Sequence, residues 1–417
     1  MRILILHRIP YQKIEYHRAV DHDVHEVTYF GKREALDTLP ASLRCATFER
    51  PGVASAFEEA RVWLTREPKR FDRIISLSEY ELLDAARLRE WLGVPGPALE
   101  QVRLARDKTL MKTAVTEAGL SAPRFLLLPD FLSSGGRAAW QGATVLKPHS
   151  GASSEEVVVF PSVADAYTAI KAHRSGVPGL DSGHRDAAQY ELEEFVTGAI
   201  LHFDGLVQDG HVLTMTASEY VGDCLRFANG EPLGSFHIPF DDTARAWVSS
   251  ALSATGICNG SFHLEAIRRR DELVFLEVGN RVGGADVVRT FELATGIHLP
   301  SQELRILLGE GGDFCSCEKS RTKWHGWFVY PGHHLRNAAN FGVAGAAAFS
   351  RSPYVVHWHE LPFGATLPRN ITYQAHETPL AGVIATDCAS HTRDWIESLF
   401  ASASHQTVPH RASAEGR

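Results

Sequence analysis

The sequence predicts a multidomain α/β and α+β protein: an open α/β domain, two α+β units and a β-rich C-terminal part. Three observations carry that expectation. Residues 1–103 alternate strand-like and helix-like segments, residues 262–281 read as a β-hairpin, and beyond residue 311 strands are joined by Pro and Gly. The expected units are 1–103, the N-terminal α/β domain; 104–137, a linking helical region; and 138–198, a small α+β subdomain. They continue as 199–310, a large subdomain; 311–400, its β-rich C-terminal part, packed as a cap; and 401–417, a polar disordered tail.

Composition narrows the function classes. The chain has 417 residues, 44% of them apolar and 22% charged, which is ordinary for a globular protein with ample core. A formal charge of −8 argues against nucleic acid as the main partner. No apolar run approaches the roughly 18 residues of a membrane span. The N-terminal MRILILHRIPYQ lacks the small-residue cleavage site of a signal peptide and reads as a first strand. Only Cys315 and Cys317 of the six cysteines lie close together, a weak metal signal, so a reduced cytoplasmic protein is expected.

In the first domain, Arg2–His7, His25–Phe30 and Arg73–Leu77 read as strands of a parallel sheet, and Ala54–Arg66 and Glu79–Leu92 as helices. No G-x-G-x-x-G follows the first strand, so a dinucleotide site of that kind is not expected. Gly93–Pro97 breaks the chain. Arg106–Leu120 then predicts a helix capped by Asp107, with Leu110, Met111, Ala114 and Val115 at helical spacing. Lys108 sits at its start, where the macrodipole disfavours a cation unless an anion is bound.

Ala143–Phe160 predicts two strands around a Gly/Ser loop, His149–Ser154, whose backbone N–H groups could approach phosphate oxygens. Lys147 ends the first strand beside that loop. Gln189–Val196 reads as a strand with adjacent acids Glu193 and Glu194, and Asp209–Gly210 as the turn between strands Ile200–Val207 and Val212–Ala217. Ala244–Ala254, Asp286–Thr295 and Gln302–Leu308 read as helices, and Trp324–Tyr330 and Tyr354–His359 as strands.

The hairpin carries the chemistry. Alternating segments Phe262–Ile267 and Leu273–Val278 flank the charged run Arg268–Glu272. A fold-back centred on Asp271 sets Glu265 opposite Glu277, with Leu264 opposite Val278 and Ala266 opposite Leu276. Two carboxylates directly opposed repel, and a divalent cation between them would remove that cost. Arg281, four residues on, is placed to meet an anionic ligand.

The order D-K-x-x-M-K, V-L-K-P with a Gly/Ser loop, L-E-E-F-V-x-G, then F-H-L-E with E-V-x-x-R-x-G-G resembles the ATP-grasp superfamily across Arg106–Leu308. The resemblance implies ATP clamped between two α+β subdomains. It implies that Lys108 and Lys147 touch the phosphates and that Gly151, Ser153 and Ser154 cover them. Glu193, Glu194 and Val196 match a hinge strand at the adenine and ribose, and His202 a polar position near ribose or phosphates. Glu265 and Glu277 match ligands of Mg2+, for which Mn2+ can substitute, and Arg281 the arginine that steadies the transferred phosphoryl group or acyl phosphate. One departure stands out: Gly279 occupies the position where many members carry a metal-binding Asn, and Asn280 follows it. On a strand that shift moves the side chain to the other face unless a bulge corrects it.

The implied activity is an ADP-forming ligase that activates a carboxylate as an acyl phosphate for attack by an amine. The N-terminal ILHRIPYQKIEYH and the Trp/His-rich C-terminal part resemble bacterial amino-acid ligases of peptide or antibiotic pathways. Arg226 or Arg289 could meet a substrate carboxylate, and Glu219 or Asp286 an amino group, while Tyr220, Phe227 and His237 could face substrate or core. The expected partners are small-molecule carboxylates and amines, probed against loading of a carrier-protein thiol, a non-catalytic ATP-binding module and purine-pathway or carboxylase-type relatives. A homodimer is left open.

Overall fold

The computed structural model describes residues 1–151, 153–311, 323–335, 341–362, 365–368 and 370–407. Cys315 and Cys317 lie outside the described residues. Within the first domain, β1 (Arg2–His7), β2 (Glu26–Gly31), β3 (Ala46–Glu49) and β4 (Arg73–Ser76) form a parallel sheet in the order β3-β2-β1-β4. Leu4, Leu6, Phe30 and Ile74 pack one face against Trp63 and Leu88 of its helices, and Ile3, Ile5, Tyr29 and Ile75 fill the other. Strand β3 had no apolar signature, because its ATFE residues are mostly exposed at the sheet edge.

The small subdomain is an antiparallel sheet of β5 (Phe125–Leu127), β6 (Thr144–Pro148), β7 (Val158–Phe160) and β8 (Tyr190–Glu194) in the order β5-β8-β6-β7. Leu146, Tyr190 and Leu192 bury one face against the helices Leu128–Ser133 and Val163–Lys171. Because strand side chains alternate, Lys147, Glu191 and Glu193 share the opposite face.

An eight-stranded antiparallel sheet organises the rest. It comprises β9 (Ala199–Gln208), β10 (His211–Val221), β11 (Leu233–Ile238), β12 (Gly260–Arg269) and β13 (Glu272–Gly279). β14 (Trp324–Tyr330), β16 (Val355–Glu360) and β17 (Leu380–Thr386) complete it, in the order β13-β12-β9-β10-β11-β14-β17-β16. The C-terminal strands therefore extend the large sheet instead of forming a separate cap. Leu201, Phe203, Ala217, Phe236 and Leu264 bury its back face beneath the helices Lys108–Glu117, Asp242–Ala254 and Ala389–Ser402. The front face presents His202, Asp204, Tyr220, Ser235 and Glu265.

Two boundaries differ from expectation. The helix Ala389–Ser402 runs past residue 401, and β18 (Ser404–Thr407) pairs with β15 (Phe341–Ala344), so regular structure extends beyond the boundary expected at 401. In the hairpin, Glu265 faces Glu277 and Leu264 faces Val278 as expected, but a bulge next to Glu265 sets Ala266 opposite Phe275 instead of Leu276. The turn falls at Arg270–Asp271, with Arg270 left-handed at φ 57°. A bulge adds one residue to one strand, which is why the pairing rule that holds at the carboxylates fails beyond them.

Gly205 of β9 shows how tightly the sheet is packed. A Cβ there would meet Thr214 O at 2.2 Å and the buried Phe262 ring at 2.7 Å. Gly205→Ala is expected to destabilise the protein by about 1–3 kcal/mol through overpacking. An unfolding midpoint equal to the wild type's, in urea or on heating, would contradict this.

Candidate active site

The small subdomain contributes a buried network of four charges. Lys112, wholly inaccessible on the helix Lys108–Glu117, donates to Glu191 Oε2 at 2.7 Å and to Glu193 Oε2 at 2.6 Å. Lys147 of β6 donates to Glu193 Oε1 at 2.7 Å. Burial raises the cost of every charge here, yet the two lysines hold the Glu193 carboxyl down at about 2. Burial likewise opposes the Lys147 ammonium, and Glu193 and Glu191 override it, so its pKa is raised. Two lysines and two glutamates leave the network neutral.

Asp107 caps the helix, accepting from the N–H groups of Thr109 and Leu110 at 2.9 and 3.2 Å. Lys108 Nζ lies 2.6 Å from Glu277 Oε2 and donates to Gly151 O at 3.0 Å. The cation at the helix start thus bridges the Gly/Ser loop of one subdomain to the hairpin of the other. In that loop Ser153 and Ser154 are both left-handed, at φ 61° and 53°. That conformation costs non-glycine residues roughly 1–2 kcal/mol each, a strain that clusters at ligand-binding segments.

Across the gap, Glu265 is held from two sides. Tyr220 donates its hydroxyl to Oε1 at 2.8 Å, and His263 Nε2 stands 3.4 Å from the same oxygen. His263 Nδ1 is 2.7 Å from Asp204 Oδ1, and Asp204 Oδ2 is 2.5 Å from His202 Nδ1. His202 Nε2 in turn lies 2.6 Å from Ser235 Oγ. Burial disfavours an imidazolium, but Asp204 and Glu265 raise His263 to about 10, and it is a cation at neutral pH. Burial also works against the Glu265 carboxylate, and His263 and Tyr220 outweigh it. Three of these side chains, His202, Asp204 and His263, come within metal-ligand distance of one another. Their mutual hydrogen bonds account for that closeness, and Gly283 seals them: a Cβ there would meet Asp204 at 2.8 Å.

Arg281 reaches back to the N-terminal domain. Its Nε donates to Glu79, which also accepts from Arg106. Burial pushes Glu79 up, but Arg281, Arg106 and Lys108 bring it down to about 2. A Cβ on Gly279 would sit 3.2 Å from Arg281 Cγ, so the glycine at the expected Asn position gives the arginine its path across the strand. Asn280 donates to Ser261 O at 2.8 Å and Asn259 O at 3.2 Å. Its amide nitrogen is committed to the strand backbone.

Several expected residues fall elsewhere. His202 lies within the sheet, linked through Asp204 and His263 to Glu265, and the Glu193 side chain pairs with Lys112 and Lys147. Glu194 pairs with Arg124, and Val196 follows the end of β8 beside the half-exposed Phe195. Glu219 lies on the back face, paired with Arg268 and, at 3.6 Å, Arg393. It shares parity with Leu201 and so points away from Glu265. A cavity of about 780 Å³ on that face, lined by Phe203, Trp247 and Arg268, has none of the front-face charges. Arg226 is exposed and paired with Asp223 and Glu231 at 3.3 and 3.7 Å. Phe227 is core, and His237 is buried on the front face. Asp286 and Arg289 start the helix beyond Arg281. Missed by sequence reasoning were Lys112, Glu191, Asp204, His263 and Glu79. Lys112 lies one turn beyond Lys108, and Glu191 alternates with Glu193, signals that were available; Glu79 gave none.

No family model matches the chain. Solved structures do. An L-amino acid ligase from Bacillus licheniformis superposes with a TM-score of 0.70 at 18% identity, covering 98% of both chains. A carboxyaminoimidazole ribonucleotide synthase from Aspergillus clavatus, complexed with ATP, gives 0.67 at 14% identity over 96% of this chain and 97% of that one. The biotin carboxylase domain of Hydrogenobacter thermophilus 2-oxoglutarate carboxylase, bound to MgADP, gives 0.62 at 14% over 98% and 91%. The fold is the ATP-grasp fold. In sequence, the chain is similar to the L-arginine-specific L-amino acid ligase of Bacillus subtilis, 28% identical over 247 residues. That match spans 57% of each chain, just over half the relative's length. No helix among the described residues is long and apolar enough to cross a membrane.

The Glu79 pairs predict acid sensitivity. A carboxyl near 4.3 when unfolded and about 2 when folded stabilises the protein by about 3 kcal/mol above the unfolded value, and this is lost as pH falls toward 2. Glu79→Gln should be less stable than wild type at pH 7 and should converge with it near pH 2. Melting curves that stay parallel across that range would refute the assignment.

Proposed function

We propose that this protein is an ATP-dependent carboxylate–amine ligase that joins amino acids through an acyl phosphate, releasing ADP and phosphate. The observation that carries it is the register of Glu265 against Glu277, with Lys108 bound to Glu277 and Arg281 beside them. The donor set fits a hard divalent cation: two opposed carboxylates, one oriented by Tyr220 and His263. Glu265 and Glu277 would hold magnesium, or manganese in its place, which would supply neutralisation of the phosphate charge.

Lys108 exchanges Glu277 for phosphate oxygens, and Lys147, already fixed as a cation by Glu193, meets them from the small subdomain. Gly151, Ser153 and Ser154 cover the triphosphate and keep water from the acyl phosphate. The chain at Glu194–Val196 receives the adenine edge. Arg281 orients the substrate carboxylate for attack on the γ-phosphorus, with ADP leaving, and steadies the acyl phosphate until the amine displaces phosphate. Asp286 and Arg289 remain on the substrate side. Glu219, on the back face of the sheet, does not. A cytoplasmic setting suits the free Cys45, Cys224, Cys258 and Cys388, and a homodimer is compatible with the proposal.

The test is ADP release with single amino acids, then pairs. Release that needs amino acids supports the ligase, whereas release only with a carrier protein present, or none with any acid, overturns it. Glu265→Gln and Glu277→Gln should each lower kcat by about a hundredfold or more while the fold, followed by circular dichroism, is unchanged.

A further inference from the structure

The two lysines assigned to the phosphates lie on different elements, Lys108 at a helix start and Lys147 on β6, and one residue ties those elements together. His149 follows β6 directly. Its backbone N–H donates to Gln189 O at 3.0 Å, and its carbonyl accepts from the Lys108 N–H at 2.8 Å. Its ring Nε2 donates to Ala188 O at 3.0 Å, and its Nδ1 stands 3.2 Å from Asp107 Oδ2. The first four N–H groups of a helix find no partner within it. Here Asp107 takes those of Thr109, Leu110 and Met111, through Oδ1 and its carbonyl, and His149 takes that of Lys108. His149 thereby joins the helix Lys108–Glu117, β6 and the short helix Ala187–Gln189 that leads into β8.

These contacts fix the ring's protonation. A carbonyl oxygen only accepts, so Nε2 carries a hydrogen. Nδ1 faces a carboxylate, and without a proton it would set its lone pair against that charge. The imidazolium, with a proton on each nitrogen, satisfies both neighbours. Asp107 accordingly raises His149 above its ordinary value against burial, and Ala188 O and Glu191 add to the effect. Burial works against the Asp107 carboxylate, but His149, Thr109 and the Leu110 N–H outweigh it and hold it below the usual carboxylate range. Of the charged groups on the surrounding elements, Asp107 and Glu191 act on the ring. The others have partners of their own: Lys112 and Lys147 bind Glu191 and Glu193, Lys108 binds Glu277, and Asp186 accepts from the Ala188 N–H at 2.9 Å.

We propose that His149 is a positioning residue for nucleotide binding: its imidazolium, clamped between Asp107 and Ala188, holds Lys108 and Lys147 at the spacing the phosphates require. The inference rests on the ligase reading's assignment of both lysines to ATP, and goes beyond it by naming what sets their spacing. His149 acts through the lysines, not on the phosphates. Two residues on, Gly151 O accepts from Lys108 Nζ, so the helix start grips the chain on the far side of His149 as well. Deprotonation would remove the charge and leave the backbone links. The ordinary imidazole value is about 6.5, and here it is raised. The clamp is therefore present at neutral pH and is lost as pH rises, in a range where Lys147, raised by its glutamates, is still a cation.

The experiment is calorimetric titration of the whole chain with MgADP near pH 7 and near pH 9, in wild type, His149→Gln and Asp107→Asn. Asparagine is a good N-cap, so Asp107→Asn keeps the helix start and removes the charge. Wild type should bind about tenfold more weakly at the higher pH. Both variants should bind about tenfold more weakly than wild type at the lower pH, with affinities that no longer change between the two. A residue that only stabilised the fold would not carry the pH step. Should one variant fail to fold, as circular dichroism would show, the other decides. Wild-type affinity in the folded variants, a pH step that survives in them, or a wild type whose affinity is flat with pH overturns the role of His149 and leaves the ligase reading standing. No binding of MgADP by wild type overturns both.

Discussion

The architecture depends on keeping Lys147 charged where water does not reach. An ammonium buried alone would shed its proton, because desolvation penalises the charged form by several kcal/mol. Glu193 prevents that, but a lone Glu193 would only cancel the lysine. Lys112 and Glu191 enlarge the pair to a neutral four-charge network in which Glu193 binds both lysines, one through each oxygen. Lys147 is thereby fixed in place and remains a cation. The helix Lys108–Glu117 does two tasks at once. Its first residue faces the gap between subdomains, and the residue four on anchors the small sheet.

The large sheet follows the same logic by parity. Its back face is hydrophobic core, and its front face carries the chain Ser235, His202, Asp204, His263 and Glu265. Each polar group there is satisfied by the next, as buried polar groups require. Glu265 therefore needs no freedom to find its position, while Glu277, a third exposed at its side chain, is tied among the described residues to Lys108 alone. The two carboxylates face each other in one register yet differ in stiffness.

Much of this was legible because local periodicity states it. The Glu265–Glu277 pairing followed from alternation and turn position, and the Asp107 cap from its place before an apolar run. The slip beyond Glu265 was not legible, since a bulge inserts one extra residue that the alternation of apolar positions does not announce. Parity also explains the misplacement of Glu219: it was chosen as an acid for an amino group, whereas the pairing of Glu219 with Leu201 sets it on the back face. Glu79 was invisible for another reason. Its partners, Arg106 and Arg281, lie 27 and 202 residues away in the chain, and no local pattern encodes such a meeting.

That distant meeting ties the N-terminal domain to Arg281. Glu79 neutralises Arg281 much as Glu277 neutralises Lys108, and both cations are accordingly held in the gap by carboxylates that an anionic ligand can displace. Displacement is cheap only where the abandoned carboxylate finds another cation. Under the proposed function, Glu79 would keep Arg106 when Arg281 turned to a ligand, and Glu277, facing Glu265, would share a divalent ion with it. Each exchange conserves charge in a partly buried site. The Gly279 position fits the same economy: a side chain there would crowd Arg281, whose path to both Glu79 and the gap runs over that glycine. A Cβ at Gly279 would stand 3.2 Å from Arg281 Cγ, so a side chain at the expected ligand position would press on the arginine.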